Sequence, residues 1–352
     1  LGPSDLEKQR FLFLFIKFIA WWPGLPAKSC FCSYNNAGNP SEFFRSITKS
    51  SGMNESFDAV CFGEILWDIL PSGAKPGGAP MNVAYHLQKL GISTALISKV
   101  GNDDQGAGLL NLLQKNELTT RYVQTDPDYS TGLVNATLQA NNEVSYDIVH
   151  PVAWDFIAWE EKLNDLVKSA SFFIYGSLAA RNTTSRQTLQ QLIARAKTKV
   201  VDINLRPPHF SKELVENLLK NADIVKLNEH ERALITGWYS GVQKEEDQVK
   251  FLQDHFSIST LIVTRGGKGA MVCTRGEIRS HPGYKVTVAD TVGSGDAFLA
   301  AFLYKTREGA SPEEQLRFAN KLGAFIASKQ GACPSYSLKE VMEMGATNPV
   351  EE

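Results

Sequence analysis

The stretch Asp290 to Asp296, D-T-V-G-S-G-D, sets two glycines, a serine and two carboxylates directly before the apolar helical run Ala297 to Tyr304. The backbone N–H groups of Gly293, Ser294 and Gly295 then point outward from a helix N-terminus. There, unsatisfied amide donors and the positive end of the helix dipole favour a phosphate. Glycines let the phosphate oxygens approach the backbone closely. Asp296 falls in the first turn, within reach of a hydroxyl brought to the same phosphate, which makes it the candidate general base of a phosphoryl transfer. The same residues also describe an ordinary capped helix, so their surroundings must decide.

A second glycine cluster supplies part of those surroundings. Gly77 and Gly78 precede Ala79-Pro80, and Asn82 follows at the start of a helical run that stops at Gly91. Paired glycines expose backbone to a ligand, and an asparagine amide both donates and accepts hydrogen bonds, as hydroxyl recognition requires. A tight turn with a decorative asparagine reads the same way. The chain has no G-x-x-x-x-G-K-[ST] loop, no H-R-D catalytic loop and no G-x-G-x-x-G after its first strand. P-loop, protein-kinase and dinucleotide sites are thereby disfavoured.

The elements that must position these residues alternate. Apolar runs at Phe57 to Gly63, Thr94 to Val100, Phe172 to Tyr175, Val200 to Asn204, Ile224 to Leu227 and Leu261 to Thr264 predict strands. Helical periodicity at Pro80 to Leu90, Gln105 to Lys115, Ser185 to Lys197, Lys212 to Asn221 and Gln248 to His255 separates them. This predicts an α/β fold, a mostly parallel sheet with helices on both faces. Arg121 to Val149 breaks the alternation: V-N-A-T-L and V-S-Y-D-I-V flank the turn-like Gln139 to Asn142, which reads as a hairpin able to act as a lid or to serve structure alone.

With 352 residues, 43% hydrophobic and 21% charged, the chain can bury a full core. A net charge of −2 without a basic block argues against nucleic acid. Five cysteines lack C-x-x-C pairing, so neither a disulfide framework nor a zinc site is indicated; Cys61 and Cys273 read as core thiols. The apolar segment Phe11 to Trp22 is shorter than the roughly 20 residues of a membrane span. Lys8 and Arg10 before it give it some signal-peptide character, whereas a secreted protein would meet no ATP. From Tyr34 to Ser56 the composition turns to Asn, Ser, Gly and Pro, and Met53 is a natural start. The expectation is an extension, residues 1–52, with no part in catalysis, followed by one domain over 53–345 in a cytoplasmic protein without membrane partners.

Together, G-G-A-P-M-N-V-A and D-T-V-G-S-G-D-A-F resemble the two signatures of the ribokinase-like, or phosphofructokinase B, carbohydrate kinase family, in the family's order and over about Phe57 to Lys339. The resemblance implies a three-layer αβα ribokinase-like (Rossmann-like) fold with a small β lid, around 68–78 and 121–149. It implies that Asp296 takes the proton of a sugar's primary hydroxyl while Gly293, Ser294 and Gly295 hold the transferring phosphoryl group of ATP. Asp68, with Gly77, Gly78 and Asn82, becomes a sugar floor. Asn228 and Glu231 match the family's N-x-x-E element, associated with Mg²⁺ through its water shell. Asn204 is implied on the phosphate side, Thr264, Gly266 and Gly269 beside the nucleotide, and Asn320 near the adenine. Asp290 and the carbonyl of Val292 are implied at a monovalent cation such as K⁺, or Asp290 only braces its turn.

Within the family, G-E-I-L-W-D-I-L-P, G-S-L-A-A-R-N and N-L-R-P-P-H-F look more like fructokinases than ribokinases. Arg181 and Arg206 are then candidates to orient sugar or phosphate. Ribose, 2-keto-3-deoxygluconate and nucleosides remain alternative substrates, and a catalytically silent sugar- or nucleotide-binding relative remains an alternative class. A homodimer paired through the lids is expected.

Overall fold

The computed structural model describes residues 56–70, 73–138 and 144–344. The expectations about 1–52 and the start at Met53, and about the turn Gln139 to Asn142, lie outside the described residues.

Nine strands form one sheet: β1 Ala59–Phe62, β4 Thr94–Gly101, β5 Val123–Asp126, β8 Phe172–Gly176, β9 Thr198–Asp202, β10 Ile224–Asn228, β11 Thr260–Thr264, β12 Ala270–Thr274 and β13 Glu277–His281. Their order across the sheet is β13-β12-β11-β10-β9-β8-β1-β4-β5. Every pairing is parallel except those of β12 and β13, which turn back antiparallel at one edge. The chain moves outward from β1 to β4 and β5, then restarts on the other side of β1 with β8. That reversal is a topological switch point, where ligands of open α/β sheets bind beyond the carboxyl ends of the strands.

The helices are α1 Ala79–Lys89, α2 Asp104–Lys115, α3 Glu161–Ser169, α4 Thr183–Ile193, α5 Lys212–Lys220, α6 Glu229–Gly237, α7 Glu245–Phe256, α8 Ser294–Arg307, α9 Pro312–Ala327 and α10 Leu338–Glu343. Successive strand residues feed opposite faces: Val60 and Phe62 pack with α3 to α7, while Ala59 and Cys61 pack with α1, α2, α8, α9 and α10. Two apolar layers on one sheet make the expected three-layer architecture, and the strands read as continuous apolar runs because both faces are buried. Cys61 and Cys273 are buried free thiols. Among the described residues no helix is long and apolar enough to cross a membrane.

A second sheet of four strands, in order β3-β2-β6-β7, comprises β2 Leu66–Leu70, β3 Gly73–Gly77, β6 Gly132–Leu138 and β7 Val144–Ile148. Of the stretch 121–149, only the part from Gly132 belongs to this lid. Val123–Asp126 instead pairs with β4 in the main sheet, because its backbone continues the parallel ladder from Ser98 to Gly101. Strand β9 ends at Asp202 rather than Asn204, which has left-handed backbone with φ 39°. Helix α4 ends at Ile193, short of the expected Lys197.

Candidate active site

A cavity of about 570 Å³ lies at the switch point. It is lined from the main sheet by Asp202 and Lys226, from the connections after β1 and β9 by Glu64 and Asn204, from the lid by Asp68 and Lys75, and from the helix starts by Asn82, Gly293, Gly295 and Asp296. Two glycine clusters far apart in sequence thus meet across one space.

Gly293 caps α8 with φ 76°, and a Cβ there would meet the Cα of Ala332 at 2.6 Å. Both the backbone sign and the close approach require glycine. As first-turn positions, Gly295 and Asp296 have amides with no acceptor within the helix. Ser294 turns its hydroxyl back to the carbonyl of Thr291 at 2.9 Å, bracing the turn rather than facing the cavity. Asp290 holds the other end, accepting from the amides of Val292 and Gly331 at 3.0 Å each, with Lys75 of the lid 3.7 Å away.

Asp296 is buried, and its Oδ2 accepts a 2.8 Å hydrogen bond from Asn82 Nδ2. Burial, followed by repulsion from Asp202, pushes its pKa up to about 6, against the pull of Lys226, Asn82 and Arg206. A carboxylate so poised is ionised at neutral pH yet basic enough to take a proton. Asn82 is itself held: Cys333 Sγ donates to its Oδ1 at 3.3 Å. One turn along α1, His86 lies between the carbonyl of Ala332 and the hydroxyl of Tyr336, 2.9 Å from each. Burial holds this imidazole neutral, with its pKa down at about 4. The segment 331–336 therefore ties α1 to the turn that starts α8.

On the lid, Asp68 stands opposite Lys75 in the β2–β3 register, and a Cβ on Gly77 would fall 2.3 Å from its Oδ2. Gly78 has φ 109°, and a Cβ there would strike the carbonyl oxygen of Glu64 at 2.4 Å. Partial burial raises the pKa of Asp68 to about 6, with Arg206 pulling it down and Asp290 pushing it up.

Sequence reasoning passed over Lys226. It is buried in the middle of β10, its ammonium is 2.7 Å from Asp202, and a Cβ on Gly295 would lie 3.4 Å from Nζ. Burial disfavours the charge, but Asp202 outweighs it and holds the pKa above that of an ordinary lysine. A cation thus sits beside the turn that starts α8. The signal was available: I-V-K-L-N and V-V-D-I each place one charge inside a buried parallel strand, where it needs a partner.

Other expected residues lie elsewhere. Arg181 does not line the cavity; its guanidinium is committed to Asp155 at 2.7 and 2.8 Å and to the carbonyl of Val149, while Arg206 faces the cavity. Asn228 caps α6, and Glu231 completes that cap by accepting from the amides of Asn228 and Leu205. Thr264 ends β11 with its hydroxyl toward the carbonyl of Leu227. Gly266 and Gly269 shape a turn with φ 57° and 80°, and a Cβ on Gly269 would lie 2.0 Å from the carbonyl oxygen of His281. Asn320 is buried in α9 and spends its amide on Leu316. Apart from Arg206, none of these lines the cavity, although the β10 and β11 residues lie at the same carboxyl-end rim. Val292, by contrast, does line it. Among the described residues no three His, Cys, Asp or Glu side chains converge as a metal cage.

The profile of the family described as "pfkB family carbohydrate kinase" matches residues 73–339. The chain belongs to this family. Among curated pfkB relatives, a probable chloroplastic fructokinase-6 of Arabidopsis thaliana is 32% identical, over 85% of this chain and 84% of the relative. A probable fructokinase-5 of the same plant is 33% identical, over 78% of this chain and 93% of the relative. Among solved structures, a fructokinase of Vibrio cholerae bound to fructose, ADP and calcium aligns with a TM-score of 0.71 at 26% identity, covering 82% of this chain and 99% of that one. An uncharacterized sugar kinase of Pyrococcus horikoshii aligns with a TM-score of 0.69 at 28% identity, over 81% and 96%. This pfkB carbohydrate kinase accordingly carries the ribokinase-like fold expected from its two signatures.

Proposed function

We propose that this pfkB kinase is a fructokinase, transferring the γ-phosphoryl group of ATP to the primary hydroxyl of fructose to give fructose 6-phosphate and ADP. The observation that carries the chemistry is Asp296, buried, raised in pKa and held by Asn82 where the amides of the α8 turn meet the cavity. The sugar's identity rests on the relatives named as fructokinases. Asp296 removes the hydroxyl proton, the sugar oxygen bonds to the γ-phosphorus, the β–γ bridge breaks, and its electrons leave with ADP. First-turn amides and Lys226 face the charge carried by the transferring group, so most of the rate comes from positioning and electrostatics. Asp68 on the lid accepts from neighbouring sugar hydroxyls.

Mg²⁺ delivered with ATP would be met through its water shell by Glu231, at the carboxyl-end rim beside the cavity rather than in its lining. Each oxygen of Glu231 accepts only one backbone amide, leaving lone pairs for the water shell that this ion keeps. When bound, the ion neutralises phosphate charge. Asp290 and the carbonyl of Val292 are the residues proposed for a monovalent ion, with Lys75 already placing one positive charge beside Asp290.

The proposed catalytic domain spans 53–345 in a cytoplasmic homodimer paired through the lids, whose sheet leaves β3 and β7 as edges. A monomer in light scattering, or recovery of the tagged chain in plastids, would overturn those two statements. ADP release over a panel of fructose, ribose, 2-keto-3-deoxygluconate and nucleosides tests the substrate. Fructose is expected to give the highest kcat/KM, and preference for another sugar refutes the assignment.

A further inference from the structure

Glu64 follows Gly63 on the connection from β1 into the lid. It is 3% exposed and lines the main cavity. It also lines a smaller space of about 10 Å³ that shares Ala79, Leu178, Asp202 and Asn204 with the main one. The amide of Ala79, the first residue of α1, and Glu64's own amide favour its charged form. Its Oε2 has no partner. Ser177, 1% exposed and just past β8, lines the same small space and carries a second buried oxygen without a partner. Two unserved polar groups thus come from the two strands that border the switch point.

Buried oxygens are retained without partners at a cost, and polar groups of this kind are normally served by water or ligand. The small space has room for about one water or one hydroxyl. A polyhydroxylated ligand in the adjoining cavity offers such a hydroxyl with both a donor and an acceptor. Burial, chiefly, and the charge of Asp296 raise the pKa of Glu64 to about 7, so either protonation state can complete a hydrogen bond with it.

We propose that Glu64 is a specificity-determining residue of the sugar site, its free oxygen and Ser177 together engaging one sugar hydroxyl that is distinct from the phosphoryl acceptor. The assignment rests on the sugar kinase reading. It makes Glu64 a discriminator against sugars that lack or invert that hydroxyl, because a site built around a hydroxyl is left with unpaired groups when the hydroxyl is missing.

The test is a cycle between protein and substrate, with kcat and KM measured for fructose and its 1-, 3- and 4-deoxy analogues. The variants are Glu64→Leu, Glu64→Gln and Ser177→Ala, with thermal melting as the folding control. Glu64→Leu is expected to lose between about 10- and 100-fold in kcat/KM on fructose, mostly through KM, and Glu64→Gln to recover most of it. On one deoxy analogue the wild type is already weakened, and Glu64→Leu and Ser177→Ala then change it less than about threefold. An equal loss on every analogue, or no loss on fructose, overturns the proposal and assigns the small space to a structural water. If Glu64→Leu does not fold, Ser177→Ala must lose its effect on that same analogue, or the proposal fails. If the wild type prefers another sugar, the fructose assignment falls alone, and the cycle on that sugar's deoxy analogues decides the role of Glu64.

Discussion

Replacing the proposed base, Asp296→Asn, should disable the enzyme while making its fold more stable at neutral pH. The side chain is buried, and its pKa rises from the ordinary 3.8 to about 6 in the fold. The folded state therefore favours the neutral acid. Stability from this group is full below the unfolded pKa, declines as pH climbs, and is lost once pH passes the folded value. The rise of about 2 in pKa corresponds to roughly 3 kcal/mol lost by neutral pH. An asparagine never ionises, and its carbonyl oxygen can still accept from Asn82. In urea unfolding the variant's advantage over wild type should widen by roughly 2 kcal/mol between about pH 4.5 and about pH 8. Near pH 8, where the wild-type carboxylate is ionised, its kcat should lie on the order of 10² to 10⁴ below wild type, with sugar binding retained. A flat or narrowing stability gap would show that burial does not strain Asp296, and near-normal kcat would place the base elsewhere.

Other perturbations address the surrounding parts. Gly293→Ala puts a Cβ 2.6 Å from Ala332 at φ 76°, so it should destabilise the fold by about 1–3 kcal/mol and depress kcat, read by melting and steady-state kinetics. Lys226→Met strands Asp202 and removes a cation beside Gly295; a loss of about 3–5 kcal/mol in stability is expected, together with a fall in kcat larger than any rise in KM. Asp296 and Asp68 both have pKa values raised to about 6, and the proposed roles need both ionised, so log kcat/KM should fall below that pH with a slope steeper than one. Chelating Mg²⁺ should abolish turnover, restored by adding the ion back.

The sequence disclosed most where local chemistry and position coincide. Gly293 and Gly78 need positive φ and tolerate no Cβ, so glycine could be read as a backbone instruction at both. The alternating apolar runs marked the buried strands because parallel strands covered on both faces have little other composition to choose. The turnover of the chain at β12 and β13 was harder to read, since edge strands such as E-I-R-S-H alternate weakly and carry charge. The same ambiguity drew Val123–Asp126 into the lid when it extends the main sheet. Arginine roles were least legible. Arg181 and Arg206 look alike in sequence, and only the fold reveals that Asp155 takes the first while the cavity keeps the second.

What the fold adds is the coupling among residues that sequence places far apart. Asn82 and Asp296 are separated by 214 positions and joined by one hydrogen bond, and the segment 331–336 fastens the helix of one to the turn of the other. The lid brings Asp68 over the same cavity, and Lys75 of that lid approaches Asp290 beneath it. On the roles proposed for Asp68 and the α8 turn, a lid that opens must separate a charge pair at that turn, whereas a lid that closes supplies both a sugar-binding carboxylate and a cation. Sugar recognition and organisation of the phosphate site then follow from one movement. A substrate that fails to draw Asp68 down would leave the turn less well braced, so part of the discrimination among sugars should appear in kcat as well as in KM.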